Sequence, residues 1–344
     1  MKYLFKPFAF GLLAAVLCLP GHGQTYPTKT IRLVVPYPAG GATDYVARLF
    51  GERLSKSLGQ PVMVDNKAGA AGNIGVAEVA KAEGDGHTLL LSINDPLINN
   101  VALFKTLPFD PQKDLVFVGQ ILRSPALISS STSSGIKNFA DLKRMATPNA
   151  KYSYGSWGVG GLGHLAGESL NRELKAEMVH VPQRGEGPVV TDLLSQTLTL
   201  GLSSVATARQ HVASGKIVPI AMMGSERSQA LPQVPTLKEL GLTDPLYLNS
   251  VWMAILAPAK TPPAIVQRLG QEMRAIANSS EVRNLLVERG FEMMVTTPEQ
   301  AQVNYKNEFE KVNIPVGSLD ITMYRDDLRL RPPRALAHTE IPEG

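Results

Sequence analysis

The sequence predicts an α/β protein of two lobes, each with a mostly parallel sheet flanked by helices. The 344 residues are enough for two domains of about 100–200 residues each. Hydrophobic residues make up 44% of the chain and charged residues 19%, a composition that excludes global disorder. In both halves, a short apolar run is followed by a glycine loop and then by an amphipathic helical segment. This alternation is typical of parallel sheets that are covered on both faces.

The first 23 residues have the three-part layout of a secretory signal peptide. Lys2 and Lys6 form a short positive region, an apolar run covers Phe8–Leu19, and small residues end at Gly23. This run is shorter than the roughly 20 apolar residues that a membrane span needs. We therefore expect cleavage after Gly23, export, and no direct membrane insertion of the mature chain. An uncleaved anchor is the alternative.

Charge and cysteine content exclude further classes of protein. Cleavage would remove two lysines from a net charge of +4, so the mature chain would have no basic excess to favour nucleic acid. Cys18 is the only cysteine, and the bulky Leu17 before it is unlike a lipoprotein signal. The mature chain would therefore have neither thiol chemistry nor disulfides. The sequence also has no HExxH, calcium-loop or Walker motif, and we expect neither a metal nor a cofactor.

The first half alternates three strands with helices. Thr43 and Asp44 open the first helix, in which Val46, Phe50 and Leu54 fall on one face at helical spacing. The strands are predicted over Ile31–Pro36, Pro61–Asp65 and Thr88–Ile93, with a second helix through Val76–Ala80.

The second half repeats the alternation and then returns to the first unit. Residues 321–344 have no periodicity and contain three prolines, so we expect a mobile C-terminal tail. The predicted strands are Lys151–Tyr154, Met178–Val181, Leu198–Leu202, Ile217–Met222 and the returning segment Val251–Leu256. The predicted helices are Asn138–Met145, His164–Leu170, Val189–Leu194, Pro263–Ala277, Ser280–Gly290 and residues 298–312.

Two glycine loops come directly before helices, Pro38–Asp44 in the first lobe and Ser153–His164 in the second. The N–H groups at a helix start carry partial positive charge, and glycine lets an anion approach the backbone closely. The two loops would then hold a carboxylate between them. The alternative is two strand-to-helix turns, with Asp44 as a helix cap and His164 as a packing or capping residue.

Two enzyme motifs nearly match the second loop. Gly158–Gly163 has the spacing of a dinucleotide fingerprint, but the next strand ends at Val181–Arg184 without the acid that binds a ribose. Ser156 lacks the glycine that a hydrolase elbow has two residues earlier, because Tyr154 stands there. We therefore expect no enzyme. An exported enzyme acting on a small carboxylic acid is the alternative.

Further motifs run in order along nearly the whole mature chain. They are Tyr26–Asp44, Leu58–Val62, Asn66, Gly69, Gly72–Gly75, Asp85–Leu90, Tyr154–Ser156, His164–Leu165, Val181–Pro182, Gly185, Asp192–Leu193, Arg227, Pro232–Thr236 and Gly241. In these segments the chain resembles the Bug-type extracytoplasmic solute receptors, the substrate-binding proteins of tripartite tricarboxylate transporters.

The resemblance implies a type II periplasmic-binding-protein-like fold with a two-strand hinge. Residues 24–122 and 246–320 would form the first lobe, and residues 123–245 the second. Such a protein is a periplasmic receptor that captures a small carboxylate by hinge closure, without chemistry. The resemblance also implies a membrane permease as its partner.

The resemblance places the ligand carboxylate on main-chain N–H groups of Tyr37–Asp44 and Ser153–Gly160. Within these loops, Gly40, Gly41, Ser156 and Gly158 would offer backbone or hydroxyl donors. The candidate ligand-binding residues are Tyr37, Pro38, Ala39, Gly40, Gly41, Thr43, Asp44, Ser92, Asn94, Ser153, Ser156, Trp157, Gly158, Val159, Gly160, His164, Arg184 and Asp192.

Some of these candidates have more specific expected roles. Trp157 would form an aromatic wall for the ligand, or else line the back of its loop. Ser92 and Asn94, at the end of the third strand, would contact the rest of the ligand. Arg184 and Asp192 are second-lobe candidates, and for Asp192 the alternative is a helix cap or a surface group.

Overall fold

The computed structural model describes residues 26–310, so the predicted signal peptide and C-terminal tail lie outside the described residues. Two sheets flanked by helices organise this range, which gives the predicted two-lobed α/β architecture. No helix within it combines the length and the apolar character needed to cross a bilayer.

Strands and helices alternate through most of the described chain. The strands are β1 (Ile31–Val35), β2 (Val62–Asn66), β3 (Thr88–Ile93), β4 (Leu115–Ser124), β5 (Ala126–Ser131), β6 (Ser153–Ser156), β7 (Val179–Pro182), β8 (Leu200–Ser204), β9 (Ile217–Met222), β10 (Val251–Pro258) and β11 (Glu292–Met293). The helices are α1 (Ala42–Leu58), α2 (Asn73–Ala80), α3 (Asn99–Leu103), α4 (Pro111–Asp114), α5 (Phe139–Met145), α6 (Leu162–Leu174), α7 (Glu186–Leu194), α8 (Val205–Ala213), α9 (Pro263–Asn278), α10 (Ser280–Glu288) and α11 (Pro298–Phe309).

Each lobe has one sheet. The first-lobe sheet has the strand order β11-β4-β10-β3-β1-β2, and the second-lobe sheet has the order β7-β6-β8-β5-β9. β1 is parallel to β2 and β3, and β6 is parallel to β7 and β8. The other pairs are antiparallel. The sheets are therefore mixed rather than mostly parallel. The reason is that β4, β5 and β10, the strands next to the crossings between lobes, are antiparallel to their neighbours.

The chain crosses between the two sheets twice. It leaves the first sheet at Pro125, between β4 and β5, and re-enters it at β10 after Ser250. β4 pairs with β10 in the first lobe, and β5 pairs with β9 in the second. Two adjacent crossings are an arrangement that suits rotation of one lobe against the other.

β1 is buried on both faces, and this burial positions the first glycine loop. Leu33 packs with Val46 and Phe50 on the predicted apolar face of α1. Val34, on the opposite side of the strand, packs with Val76 of α2. Burying each such side chain stabilises the fold by roughly 1.5–3 kcal/mol. The carboxyl end of β1 is thereby fixed in the sheet, and the loop that follows it is fixed at the sheet edge.

Several local elements differ from the prediction, among them β6 and α8 and the short elements α3, α4 and β11. β6 begins two residues later than expected, because Lys151 has a left-handed backbone conformation (φ 48°) that interrupts an extended strand. The strand also ends two residues later than predicted, where Ser156 pairs with Pro182 of β7, so Ser156 ends the strand rather than lying in the loop. Helix α8 was also not predicted; it begins after Ser204, whose side chain accepts a hydrogen bond from the Thr207 N–H.

Gly167 in α6 lets the ring of Tyr154 pack against the helix backbone, because a Cβ at this position would overlap the ring. We expect Gly167→Ala to lower the free energy of unfolding by about 1–3 kcal/mol, although alanine favours a helix by roughly 1 kcal/mol. Gly51→Ala in α1 is the matched control, since its Cβ would lie an ordinary 3.6 Å from Val62 and Val64. Urea unfolding measures both variants. Equal free energies of unfolding for Gly167→Ala and Gly51→Ala would contradict the packing of the Tyr154 ring against the backbone at Gly167.

Candidate functional site

A cavity lies between the two lobes, where the starts of α1 and α7 approach each other. It is narrow and partly open to solvent, with about 20 Å³ available to the centres of water-sized molecules. Its wall consists of Tyr37, Pro38, Gly41, Ala42, Thr43, Asp44 and Ile93 from the first lobe and Trp157, Gly185, Glu186, Gly187 and Pro188 from the second. The structure thus brings together six of the predicted residues, which are Tyr37, Pro38, Gly41, Thr43, Asp44 and Trp157.

The first glycine loop presents unpaired backbone donors to this cavity. Gly41 is the N-cap residue of α1 and has no side-chain cap. Within residues 26–310, the N–H groups of Gly41, Thr43 and Asp44 have no hydrogen-bond acceptor. Such groups carry the positive end of the helix dipole. This side of the cavity therefore favours an anion.

Asp44 secures the loop rather than the helix start. Its carboxylate accepts hydrogen bonds from the Gly40 N–H and from Arg48 Nε, both at 3.0 Å, and from Asn66 Nδ2 at 3.1 Å. Burial raises the pKa of Asp44, but the bonds from Arg48, Gly40 and Asn66 outweigh burial and hold it below its usual range. The charge of Asp44 is thus paired, and the Gly40 N–H is already used within the loop.

A carboxylate from the first lobe occupies the start of α6 in the second lobe. Asp95 Oδ2 accepts hydrogen bonds from the Leu162 N–H at 3.1 Å and from Trp157 Nε1 at 2.7 Å. Asp95 Oδ1 accepts a third bond, from Asn99 Nδ2 at 2.9 Å. The helix start at the second glycine loop therefore already has an anion, and that anion belongs to the protein.

The contacts of Asp95 with Trp157 and Leu162 form a bridge that is buried between the lobes, called the Asp95 bridge below. Asp95 is only 2% exposed. Burial raises its pKa to about 6, with hydrogen bonds from Trp157 and Leu162 opposing the shift and the charges of Glu308 and Glu186 adding to it. Asp95 is therefore ionised at neutral pH and becomes protonated in mild acid.

Glu186, at the start of α7, is a second carboxylate of the cavity wall. Its Oε2 accepts hydrogen bonds from Ser204 Oγ at 2.7 Å and from Thr207 Oγ1 at 2.6 Å, and its Oε1 accepts one from the Ser204 N–H at 3.2 Å. Burial raises the pKa of Glu186, although these bonds and the N–H of Ala42 oppose the shift. Glu186 thus joins its own lobe to the start of α1.

Two stacked histidines support the second loop from behind. The rings of His164 and His180 lie 3.8 Å apart. His164 Nδ1 accepts a hydrogen bond from the Gly160 N–H at 3.0 Å, and His180 Nε2 lies 2.8 Å from Ser156 Oγ. Burial lowers the pKa of His164 to about 4, and burial together with His164 lowers that of His180 to about 3. Both rings are therefore neutral and packed, as in the alternative interpretation of His164.

Several predicted residues lie outside the cavity wall. Ser92 Oγ donates to the Ile93 carbonyl at 3.1 Å, and Asn94 Nδ2 donates to Glu308 Oε1 at 3.1 Å. Arg184 is exposed, and Asp192 accepts a hydrogen bond from Gln183 Nε2 at 2.6 Å. The predicted residues outside the wall are Ala39, Gly40, Ser92, Asn94, Ser153, Ser156, Gly158, Val159, Gly160, His164, Arg184 and Asp192. Their contact with a ligand remains a prediction.

A third helix start, which was not predicted, also lies at the cavity. Gly185-Glu186-Gly187-Pro188 opens α7 after β7, so a strand, glycines and a helix follow one another here as well. This repetition was a signal that could have identified Glu186. Asp95 follows β3 directly, but nothing in the sequence indicates that it reaches α6. Within residues 26–310, no group of three or more His, Cys, Asp or Glu side chains is arranged to hold a metal ion.

Comparisons of this chain with family models and with individual known proteins point to the same family. Residues 46–314 match the family described as "Tripartite tricarboxylate transporter family receptor". Protein BugT of Bordetella pertussis is 31% identical over 313 residues, which cover 90% of this chain and 95% of BugT.

Two solved structures of relatives contain carboxylates. Rpa4515 of R. palustris with adipate has a TM-score of 0.79 and 31% identity, covering 83% of this chain and 95% of that one. MatC of Rhodopseudomonas palustris with bound malate has a TM-score of 0.76 and 30% identity, covering 83% of this chain and 98% of that one.

Replacing Asp95 by asparagine tests whether the buried Asp95 carboxylate is ionised at neutral pH. A raised pKa means that the folded protein holds the proton more tightly than the unfolded chain between about pH 4 and pH 6. The contribution of Asp95 to stability is therefore lost as pH rises through this window. Asp95→Asn keeps an acceptor for Leu162 and Trp157 but does not ionise. The quantity to compare is the free energy of unfolding of Asp95→Asn minus that of the unsubstituted protein. We expect this difference to increase by on the order of 2–3 kcal/mol from pH 4 to pH 7.

Thermal and urea unfolding of both proteins at each pH measure this difference. A difference in stability that stays constant from pH 4 to pH 7 would contradict an ionised, buried Asp95.

Proposed function

The chain belongs to the tripartite tricarboxylate transporter family of receptors, and on this basis we propose that it captures a small carboxylate between its lobes. The observation that carries the proposal is the set of unpaired N–H groups of Gly41, Thr43 and Asp44 that opens into the cavity. Relatives with bound adipate and malate support the ligand class. A carboxylate at a helix start gains both hydrogen bonds and the helix dipole.

Capture would proceed by binding and closure, without a covalent step. The ligand carboxylate would bind the start of α1, and the second lobe would bring Trp157 and α7 over it. We propose that the lobes predicted as residues 24–122 with 246–320 and residues 123–245 move about the crossings, which lie a few residues later than these bounds, at Pro125 and Ser250. A cleft at a domain interface is a common place for a small-molecule site.

Binding accounts for the site better than catalysis does. The Ser156–His180 contact is the feature closest to a nucleophile and its base, but Ser156 is fully buried and its hydroxyl donates to the Gly158 carbonyl at 3.1 Å. A buried serine cannot reach a substrate in the cavity. We therefore infer a receptor rather than an exported enzyme.

Localisation and partner complete the proposal. The signal-like segment of residues 1–23 supports export to the periplasm, and the family supports a membrane permease as the partner. The closed, ligand-bound form would be the form that the permease recognises.

Thermal unfolding with a panel of carboxylates tests the function directly. The purified protein, unfolded and refolded to remove any retained ligand, is heated with dicarboxylates, citrate, amino acids and aromatic acids. A ligand at about 100 times its Kd stabilises the folded state by roughly 2.7 kcal/mol, which corresponds to a shift of several degrees. We expect such a shift for one chemical class. No shift with any carboxylate would overturn the proposal.

Gly41 provides a test of the anchoring loop. Its φ of −86° is accessible to any residue, and a Cβ there would come no nearer than 4.0 Å to the Gly187 nitrogen. We expect Gly41→Leu to fold normally, to fill the cavity, and to weaken carboxylate binding by at least about tenfold, or 1.4 kcal/mol. Gly41→Ala is the matched control and should lose much less. Calorimetric titration of a ligand from the panel measures both variants, and equal affinities would exclude the loop as the anchor.

A further inference from the structure

We propose that the ligand is an amino-carboxylate and that Glu186 recognises its ammonium group. This inference rests on the proposed function and specifies the ligand class of the same cleft. It makes Glu186 the residue that distinguishes a zwitterion from a simple mono- or dicarboxylate.

The charge on the cavity wall is the first observation. The wall contains two carboxylates, Asp44 and Glu186, and no lysine, arginine or histidine. Asp44 forms an ion pair with Arg48 at 3.0 Å. The hydrogen-bond partners of Glu186 are neutral groups of Ser204 and Thr207 and the N–H of Ala42. Of the two carboxylates on the wall, Glu186 is therefore the one that has no cationic partner among the described residues.

The surroundings of Glu186 add to this negative charge. Asp95 is held by the neutral donors of Trp157, Leu162 and Asn99, so it too lacks a cationic partner in the described part of the chain. The pKa of Asp95 is raised by burial and also by the charges of Glu308 and Glu186, so both carboxylates repel Asp95. A dicarboxylate would add two further negative charges here, whereas an ammonium group would offset one.

The position of Glu186 suits a group close to the ligand carboxylate. The Ala42 N–H faces Glu186, and Ala42 lies between Gly41 and Thr43, whose N–H groups are unpaired. The starts of α1 and α7 are also close, since a Cβ on Gly41 would lie 4.0 Å from the Gly187 nitrogen. A carboxylate bound to the Gly41 and Thr43 N–H groups would therefore lie beside Glu186, within reach of which an amino group on the adjacent carbon could be placed.

Tyr37 provides an independent sign of a polar ligand. Tyr37 lines the same cavity, and its hydroxyl, buried beside Gly72, has no hydrogen-bond partner among residues 26–310. Buried hydroxyls are seldom left unpaired. A hydroxyl both donates and accepts, so it could bond either the carboxylate or the ammonium group of a zwitterion.

Matched ligand pairs test the proposal. Calorimetric titration compares glutamate with glutarate, leucine with 4-methylpentanoate, and phenylalanine with 3-phenylpropionate on the ligand-stripped protein. For the carbon skeleton that binds, we expect the amino form to bind at least about tenfold more tightly than its des-amino analogue. Glu186→Gln should lower this ratio at least about fivefold, by weakening the amino form and strengthening the analogue. Glu177→Gln, an exposed acid of the second lobe, is the charge-matched control and should leave the ratio unchanged.

The outcomes separate this inference from the proposed function. If des-amino carboxylates bind as well as amino-carboxylates, or if the preference survives in Glu186→Gln, the inference is overturned while the carboxylate receptor stands. If no carboxylate of either kind binds, both fail. The ratio for the unsubstituted protein decides the ligand class even if Glu186→Gln does not fold, and Glu186→Asp, which keeps the charge, should keep the preference.

Discussion

The unpaired N–H groups at helix starts are the constraint that organises the cleft. The starts of α1, α6 and α7 all meet between the lobes, so their positive ends require negative partners in a partly desolvated space. Asp95 supplies one partner to α6 across the lobe boundary. The start of α1 keeps donors without an acceptor among residues 26–310 and is therefore the place for an external anion.

Fold and site are connected through this arrangement. Burial of β1 on both faces fixes the edge from which the first loop projects, and the two crossings at Pro125 and Ser250 allow a second lobe to close over it. The Asp95 bridge to Trp157 and Leu162 then links closure to the charge state of one buried carboxylate. Glu186 lies beside the start of α1, so unpaired N–H donors and a carboxylate without a cationic partner among residues 26–310 stand next to each other in the cleft. A zwitterion would match this pair of features.

The sequence predicts the strand-to-helix loops, the apolar face of α1 and the family resemblance, because these features depend on local spacing. Asp95 was not predicted, since its partner Leu162 lies 67 residues away and the pairing exists only after the lobes meet. Glu186 was missed although its local pattern of glycines before a helix resembles the other two loops. The later start of β6 depends on the left-handed conformation of Lys151, which no residue pattern indicates, because lysine rarely adopts it. The mixed character of the sheets follows from the path of the chain between lobes rather than from any single strand.

A crystal structure of the protein with its best carboxylate ligand would show which helix start binds the anion. We expect the carboxylate oxygens to lie within hydrogen-bond distance of the Gly41 and Thr43 nitrogens, with Asp95 still bonded to the Leu162 N–H. A ligand carboxylate bound at Leu162 with Asp95 displaced, or a ligand bound outside the cleft, would contradict the assignment of the α1 helix start as the anchoring site.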